Sequence, residues 1–183
     1  MYFQRLINIR ELYNYNQNQM AKILKTSQSN YSRWEKATEL IPLDKLSLFC
    51  NYFNTNMDYM LGISNFKNGN GTHLLNKKII GKRIKIIRKK YIITQKELAA
   101  CLNTTQSTIS ANENGKTKLL TAFAIQIVYK YNISLDWICG RTDNMNIKKQ
   151  IWQDVSCKFV FLPAARPICF CCIYIIVVWG YTI

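Results

Sequence analysis

The sequence holds one histidine, His73, and only 10 acidic residues against 25 Lys and Arg. A lone imidazole nearly removes histidine-based acid–base catalysis and multi-histidine metal sites. No carboxylate pair, nucleophile–base set or glycine-rich phosphate loop is present, so no enzyme activity and no cofactor are expected. Alternating apolar patterning of useful length is also missing, which leaves helices as the building material. The N-terminus, MYFQRLINIR, has no apolar stretch of signal-peptide length. The seven cysteines do not form a disulfide framework: Cys50, Cys101 and Cys139 sit in apolar helical patterns, where a thiol acts as a small hydrophobe. A reducing, cytoplasmic setting is expected.

What the sequence does have is positive charge and apolar residues. The net charge of +15 points to a polyanionic partner, either nucleic acid or an anionic membrane surface. At 49% hydrophobic the chain can build packed cores, and 183 residues suit one ordinary domain or two small ones.

The choice between one and two is made by a repeat. TSQSNYSRWEKA (26–37) and TTQSTISANENG (104–115) are versions of one phrase, and a shift of 78 positions aligns them without a gap. Gln28 then meets Gln106, Ser29 meets Ser107, Ser32 meets Ser110 and Glu35 meets Glu113. Upstream, Arg5, Arg10, Tyr13, Gln17, Ala21 and Leu24 meet Arg83, Arg88, Tyr91, Gln95, Ala99 and Leu102. Downstream, Asn54, Asp58 and Gly62 meet Asn132, Asp136 and Gly140. The chain is a tandem duplication.

Each copy reads as a series of short helices. Leu6, Ile9, Arg10 and Tyr13 have helical spacing. Asn16 with Gln19, and Thr94 with Glu97, are capping pairs that open a second helix. Ser27 and Thr105 cap a third, which carries the repeated phrase. Pro42 suits the first turn of a fourth, with Leu43, Leu46, Phe49 and Phe53 on one face. A short fifth helix ends near Gly62 or Gly140. Two helices joined by a three-residue turn, the second of them polar, form a helix-turn-helix arrangement. The third helix keeps a narrow apolar stripe, Tyr31 and Trp34 in copy one and Ile109 in copy two. Its outer face carries Gln, Ser and Arg side chains of the kind that pair with base edges in a major groove.

NQMAKILKTSQSNYSRWEKA and TQKELAACLNTTQSTISANENG resemble the Cro/C1-type, or XRE-like, helix-turn-helix family. The resemblance covers about residues 3–63 and 80–141, and the endings NMDYMLG and SLDWICG resemble that family's last helix. It implies an all-α fold of two tandem five-helix lambda-repressor-like domains. By the same resemblance the chain would be a double-stranded DNA-binding transcription regulator, a repressor of phage or mobile-element type. The abundance of Ile, Asn, Lys and Tyr, which AT-rich codons encode, agrees with a low-GC bacterial or phage source. Carried over residue by residue, the resemblance gives Gln28, Ser29, Asn30, Ser32 and Arg33, with Gln106, Ser107, Thr108 and Ser110, as base-reading residues. Gln17 and Gln95 would meet phosphates at helix N-termini. Lys36, Thr38, Lys116 and Lys118 would touch the backbone and set register. An antitoxin-like protein of the same fold, with a toxin-like protein as main partner, is the alternative; a homodimer is a further option.

Departures from the family pattern carry information. The turn normally holds Gly, whereas this chain has Lys25-Thr26 and Asn103-Thr104, which puts strain on Lys25 if it adopts a left-handed conformation. Ala37 replaces the glycine kept at Gly115, and Ala111 and Asn112 replace Arg33 and Trp34. Copy two presents fewer specific contacts but more charge: 11 basic against 4 acidic residues over 79–146, compared with 7 against 5 over 1–65. Discrimination is therefore expected mainly from copy one and phosphate attraction from copy two. The run GKRIKIIRKK (81–90) reads as an amphipathic helix with a solvated basic face, Trp34 and Trp137 as core residues, and His73 as a solvated linker residue.

The expected layout is a first domain at 1–65, a flexible linker at 66–78, a second domain at 79–146 and a hydrophobic cysteine-rich tail at 147–183. As a coil the linker would average roughly 20–24 Å and reach about 55 Å at full stretch, enough for half-sites about 34 Å apart. One chain could thus act as a covalent pseudo-dimer on an asymmetric site. Residues 167–183, PICFCCIYIIVVWGYTI, hold no charge over 17 residues, slightly short of the about 20 that span a bilayer. The open alternatives for the tail are a membrane anchor, which would make a membrane-tethered regulator, a segment packed on the domains or on a dimer partner, and a poorly ordered or frame-shifted extension. Cys169, Cys171 and Cys172, with Cys157 upstream, lack the paired spacing of a zinc site, so no metal is expected.

Overall fold

The structure is a computed structural model that describes residues 2–69 and 71–147. The expectations for the tail, including the anchor at 167–183 and the four cysteines beyond 150, lie outside the described residues. Among the described residues no helix is long and apolar enough to cross a membrane.

Helix α1 covers Tyr2–Leu12, α2 Gln17–Ile23, α3 Gln28–Glu35, α4 Leu43–Tyr52 and α5 Met57–Met60. The second set is α6 Lys77–Lys90, α7 Gln95–Cys101, α8 Gln106–Glu113, α9 Thr121–Tyr131 and α10 Leu135–Ile138. From α2 onward every helix begins 78 positions before its counterpart. The described residues are thus all-helical, apart from two isolated antiparallel bridges, Thr55 with Asn68 and Ile133 with Asn146, which also stand 78 apart.

Local chemistry sets the boundaries. Asn16 and Thr94 form complete capping boxes with Gln19 and Glu97, so two otherwise free N–H groups are satisfied at the start of α2 and of α7. Ser27 and Thr105 cap α3 and α8 by accepting from the amides of Asn30 and Thr108. Pro42 lies one residue earlier than expected, as the N-cap of α4 rather than within its first turn. Gly62 and Gly140 follow α5 and α10 with φ of 76° and 80°, a left-handed conformation that costs glycine little. Lys25 and Asn103 in the helix-turn-helix turns are left-handed as well, with φ of 52° and 50°. In copy one the Lys45 ammonium donates to the carbonyls of Leu24 and Lys25, at the negative end of α2.

The cores use the apolar stripes read from the sequence. Leu43, Leu46, Phe49 and Phe53 are buried together, as are Tyr31, Trp34, Ile109 and Trp137. Cys50 and Cys139 are buried free thiols, and Cys101 is half-buried. In α6, Ile80, Ile84 and Ile87 face inward while Lys82, Lys85, Lys89 and Lys90 are exposed; Ile86 points outward with the lysines. Gly81 lets α6 lie directly against the end of α8, since a Cβ there would stand 2.3 Å from the Asn112 carbonyl oxygen.

Both copies belong to one compact unit, residues 1–150. Residues 66–69, which composition reads as the start of a flexible linker, are hydrogen-bonded to the first copy. The Asn56 amide donates to the Lys67 carbonyl and the Gly69 amide to the Asn54 carbonyl. Further along, His73 exchanges backbone bonds with the Asn51 side chain.

The copies meet through α5 and α10, each capped by the other's aspartate. Asp58 accepts from the Leu135 amide and the Ser134 hydroxyl, both at 2.6 Å. In return Asp136 accepts from the amides of Met57 and Asp58, at 2.7 and 3.0 Å. A negative charge at a helix N-terminus is favourable, but here both charges are buried. Burial first, and the Asp136 charge second, push the Asp58 carboxyl up to about 6. Burial likewise raises Asp136, against hydrogen bonds from Asp58, Arg141 and Met57.

Candidate nucleic-acid interface

The repeated phrase forms α3 and α8, and the structure shows what aims them. Glu35, near the end of α3, is buried and bonded to Arg10 of α1 at 2.6 Å. Its other oxygen accepts from the Gln17 side-chain amide at 2.8 Å. Copy two repeats the arrangement: Arg88 donates to Glu113 at 2.6 Å and Gln95 at 2.9 Å. Each of α3 and α8 is thereby tied to the first two helices of its own domain by a charge-assisted hydrogen-bond chain. The hydrogen bond to Glu35 raises the Arg10 pKa, and the bond to Glu113 does the same for Arg88. Burial alone would push the Glu113 carboxyl up, yet the bonds from Arg88 and Gln95 outweigh it and hold it below the usual range.

Gln28 is exposed at the start of α3, and its amide donates to the Gln17 side-chain oxygen at 2.8 Å. Gln17 therefore bridges Glu35 to Gln28 and holds the exposed glutamine. Gln106 is exposed at the matching place but makes no such bond to Gln95 among the described residues. Ser29 and Ser107 are exposed beside the capping residues Ser27 and Thr105, at 3.0 and 2.8 Å. Asn30 and Thr108 are half-buried against Thr26 and Thr105. Ser32 and Ser110 are half-buried one turn further on, and Arg33 is exposed, 3.7 Å from Glu39. Of these nine side chains five are exposed and four half-buried, whereas Tyr31 and Ile109 on the same helices are buried.

The expected phosphate-contacting residues are distributed unevenly. Lys36 is the C-cap residue of α3, and Thr38 donates to the Arg33 carbonyl, so both lie at the end of that helix. Lys116 and Lys118 are exposed in the loop after α8. Lys118 also reaches across to Asp44 of the first copy, at 3.3 Å. A cavity of about 810 Å³ lies beside this contact, lined largely by apolar residues such as Leu40, Leu43, Leu74, Leu119 and Leu120.

Sequence reasoning did not assign the Arg10–Glu35 and Arg88–Glu113 anchors a role. The signal was there: all four residues are identities in the repeat, with each Arg 25 positions before its Glu. The pair Asp58 and Asp136 was visible in the same way. Among the described residues no group of three or more His, Cys, Asp or Glu could hold a metal ion.

Comparison with known proteins agrees with this geometry. A family model described as a helix-turn-helix matches residues 6–60, and one described as a helix-turn-helix domain matches residues 81–143. A relative from Bacillus subtilis (strain 168), named as the uncharacterized HTH-type transcriptional regulator YobD, is 31% identical over 64 residues. That stretch covers 35% of this chain and 57% of the relative. With a matched domain in each half and the same α2–turn–α3 frame in both, the chain is a tandem helix-turn-helix protein of the Cro/C1, XRE-like kind.

Proposed function

We propose that the protein is a sequence-specific double-stranded DNA-binding transcription regulator, and a repressor of phage or mobile-element type. The observation that carries this reading is the pair of polar, hydrogen-bonding faces on α3 and α8, each anchored by a part-buried Arg–Glu–Gln chain. In the major groove Gln28 and Gln106 would pair with adenine, the Ser and Thr hydroxyls with several base edges, and Arg33 with guanine. Lys36, Thr38, Lys116 and Gln95 would meet phosphates, and Gln17 would do so through the first turn of α2 while its side chain holds Gln28. The B. subtilis relative's description as a transcriptional regulator supports the same reading.

Because α3 and α8 differ at Arg33/Ala111 and Trp34/Asn112, one chain acting as a pseudo-dimer would recognise an asymmetric site. The test is selection of bound sequences from random duplex DNA at two salt concentrations, with Gln28→Ala and Gln106→Ala proteins alongside. One asymmetric motif should emerge, and each variant should relax preference in one half of it. A perfect palindrome bound by two chains, or no enriched sequence, contradicts the reading.

A further inference from the structure

The surface joining the two copies is symmetric at its centre and asymmetric around it. Asp58 and Asp136 each cap the other's short helix, accepting from the matching amides of Leu135 and Met57, but the polar contacts that flank them occur once each. The Arg141 side chain is fully buried, donating to Asp136 at 2.9 Å, to Ser47 at 3.0 Å and to Asn51 at 2.6 Å. A shift of 78 replaces Arg141 by Ile63, Ser47 by Ile125 and Asn51 by Tyr129, so the mirror positions carry no guanidinium and no hydroxyl–amide pair to receive one; Ile63 and Ile125 are half-buried and Tyr129 is exposed. Thr121 donates to the Ile41 carbonyl at 2.8 Å, and its counterpart is Leu43. Lys118 pairs with Asp44, and their counterparts are Leu40 and Ala122.

We propose that this surface encodes heterotypic pairing: the first copy recognises the second and rejects a second first copy, and the second copy likewise rejects itself. In a pair of first copies, two buried Asp58 carboxylates would face each other with no guanidinium, and Ser47 and Asn51 would face Ile63. Buried charge without a partner is strongly unfavourable. In a pair of second copies, each Arg141 would lose Ser47 and Asn51 and meet Ile125 and Tyr129, leaving buried donors unsatisfied. Both rejections are specificity through uncompensated polar groups, with the Arg141 set as the discriminating element. The inference concerns how the halves choose each other and is independent of what α3 and α8 bind.

The test uses the full chain with a protease site inserted between Gly71 and Thr72. The protein is cut after folding, mixed with a cut, nitrogen-15-labelled sample, unfolded and refolded together, and weighed by native mass spectrometry. Every two-part particle should hold one first half and one second half in all isotopic combinations, with like pairs below about 1% of particles. Replacing the set by its mirror, through Arg141→Ile with Ser47→Ile and Asn51→Tyr, should raise like pairs toward the statistical share of about half. Abundant like pairs in the parent, or their absence in the triple variant when unlike pairs form, overturns the proposal. Melting of the uncut chain gives an arm that needs no refolding. Arg141→Ile alone should lower the midpoint, and the triple variant should recover part of the loss. A triple variant that melts at or below the summed losses of its parts overturns the proposal as well.

Discussion

Ala37 and Lys25 show how single residues carry local strain in this chain. Both are left-handed, with φ of 58° and 52°, where an L side chain crowds the following carbonyl. Gly115 occupies the place of Ala37 in copy two with φ of 67°, and there a Cβ would stand 2.9 Å from the Lys78 Cα. Ala37→Gly relieves the left-handed cost but adds backbone entropy to the unfolded chain. The balance predicts a gain of about 0.5–1 kcal/mol, readable as a raised denaturation midpoint, whereas Gly115→Ala should destabilise. Asp58 carries strain of another kind. Its folded pKa of about 6 stands above the ordinary 3.8, so between these values the folded state binds more protons than the unfolded one. Stability from this group therefore falls as pH rises from about 4 to about 6 and is level above that. Relative to an Asp58→Asn variant, the parent should gain on the order of 2–3 kcal/mol when the pH is lowered from 7 to 4, measured by urea unfolding at each pH.

At the scale of elements, the Arg–Glu–Gln anchors hold α3 and α8, the helices proposed to read DNA, against the rest of each domain. Glu35 is buried with the Arg10 guanidinium and the Gln17 amide as partners, so Glu35→Ala leaves a guanidinium with reduced compensation. A loss of about 3 kcal/mol is expected from breaking such a pair, compared with under about 1 kcal/mol for Gln28→Ala on the exposed face. Thermal melts of the two variants separate the anchor from the reader. The helices themselves were legible in the sequence because their determinants are local: the Asn16 and Thr94 capping boxes, the Ser27 and Thr105 caps and the 78-residue register. The anchors were half-legible, since the repeat displays Arg10, Glu35, Arg88 and Glu113 but does not say that they meet. The Arg141, Ser47 and Asn51 contact was not legible at all. Those residues match nothing at the repeat spacing, and a departure from a repeat acquires meaning only once the two copies face each other.

For the whole molecule, the reciprocal capping of α5 and α10 changes what the connection between the copies has to do. Composition suggested a tether whose length sets the reach, but the structure joins the copies through buried Asp58, Asp136 and Arg141, so their relation is set by an interface. The charge difference between copies then bears on affinity. Lys116→Ala should weaken binding equally for all duplexes and reduce the salt slope of log K by about 1. Arg33→Ala should instead relax preference at one position by about 1–3 kcal/mol. Titrations of both variants at several salt concentrations distinguish the two roles.

The most direct measurement is the ratio of affinities for a selected duplex and its shuffled counterpart, taken at one fixed salt concentration for the parent and for the Gln28→Ala/Gln106→Ala double variant. Reading by α3 and α8 predicts a parent ratio of about 10³ or more that collapses by at least about tenfold in the variant, while the shuffled duplex is bound equally by both. A parent that binds the two duplexes alike, or a ratio untouched by removing both glutamines, would contradict the account.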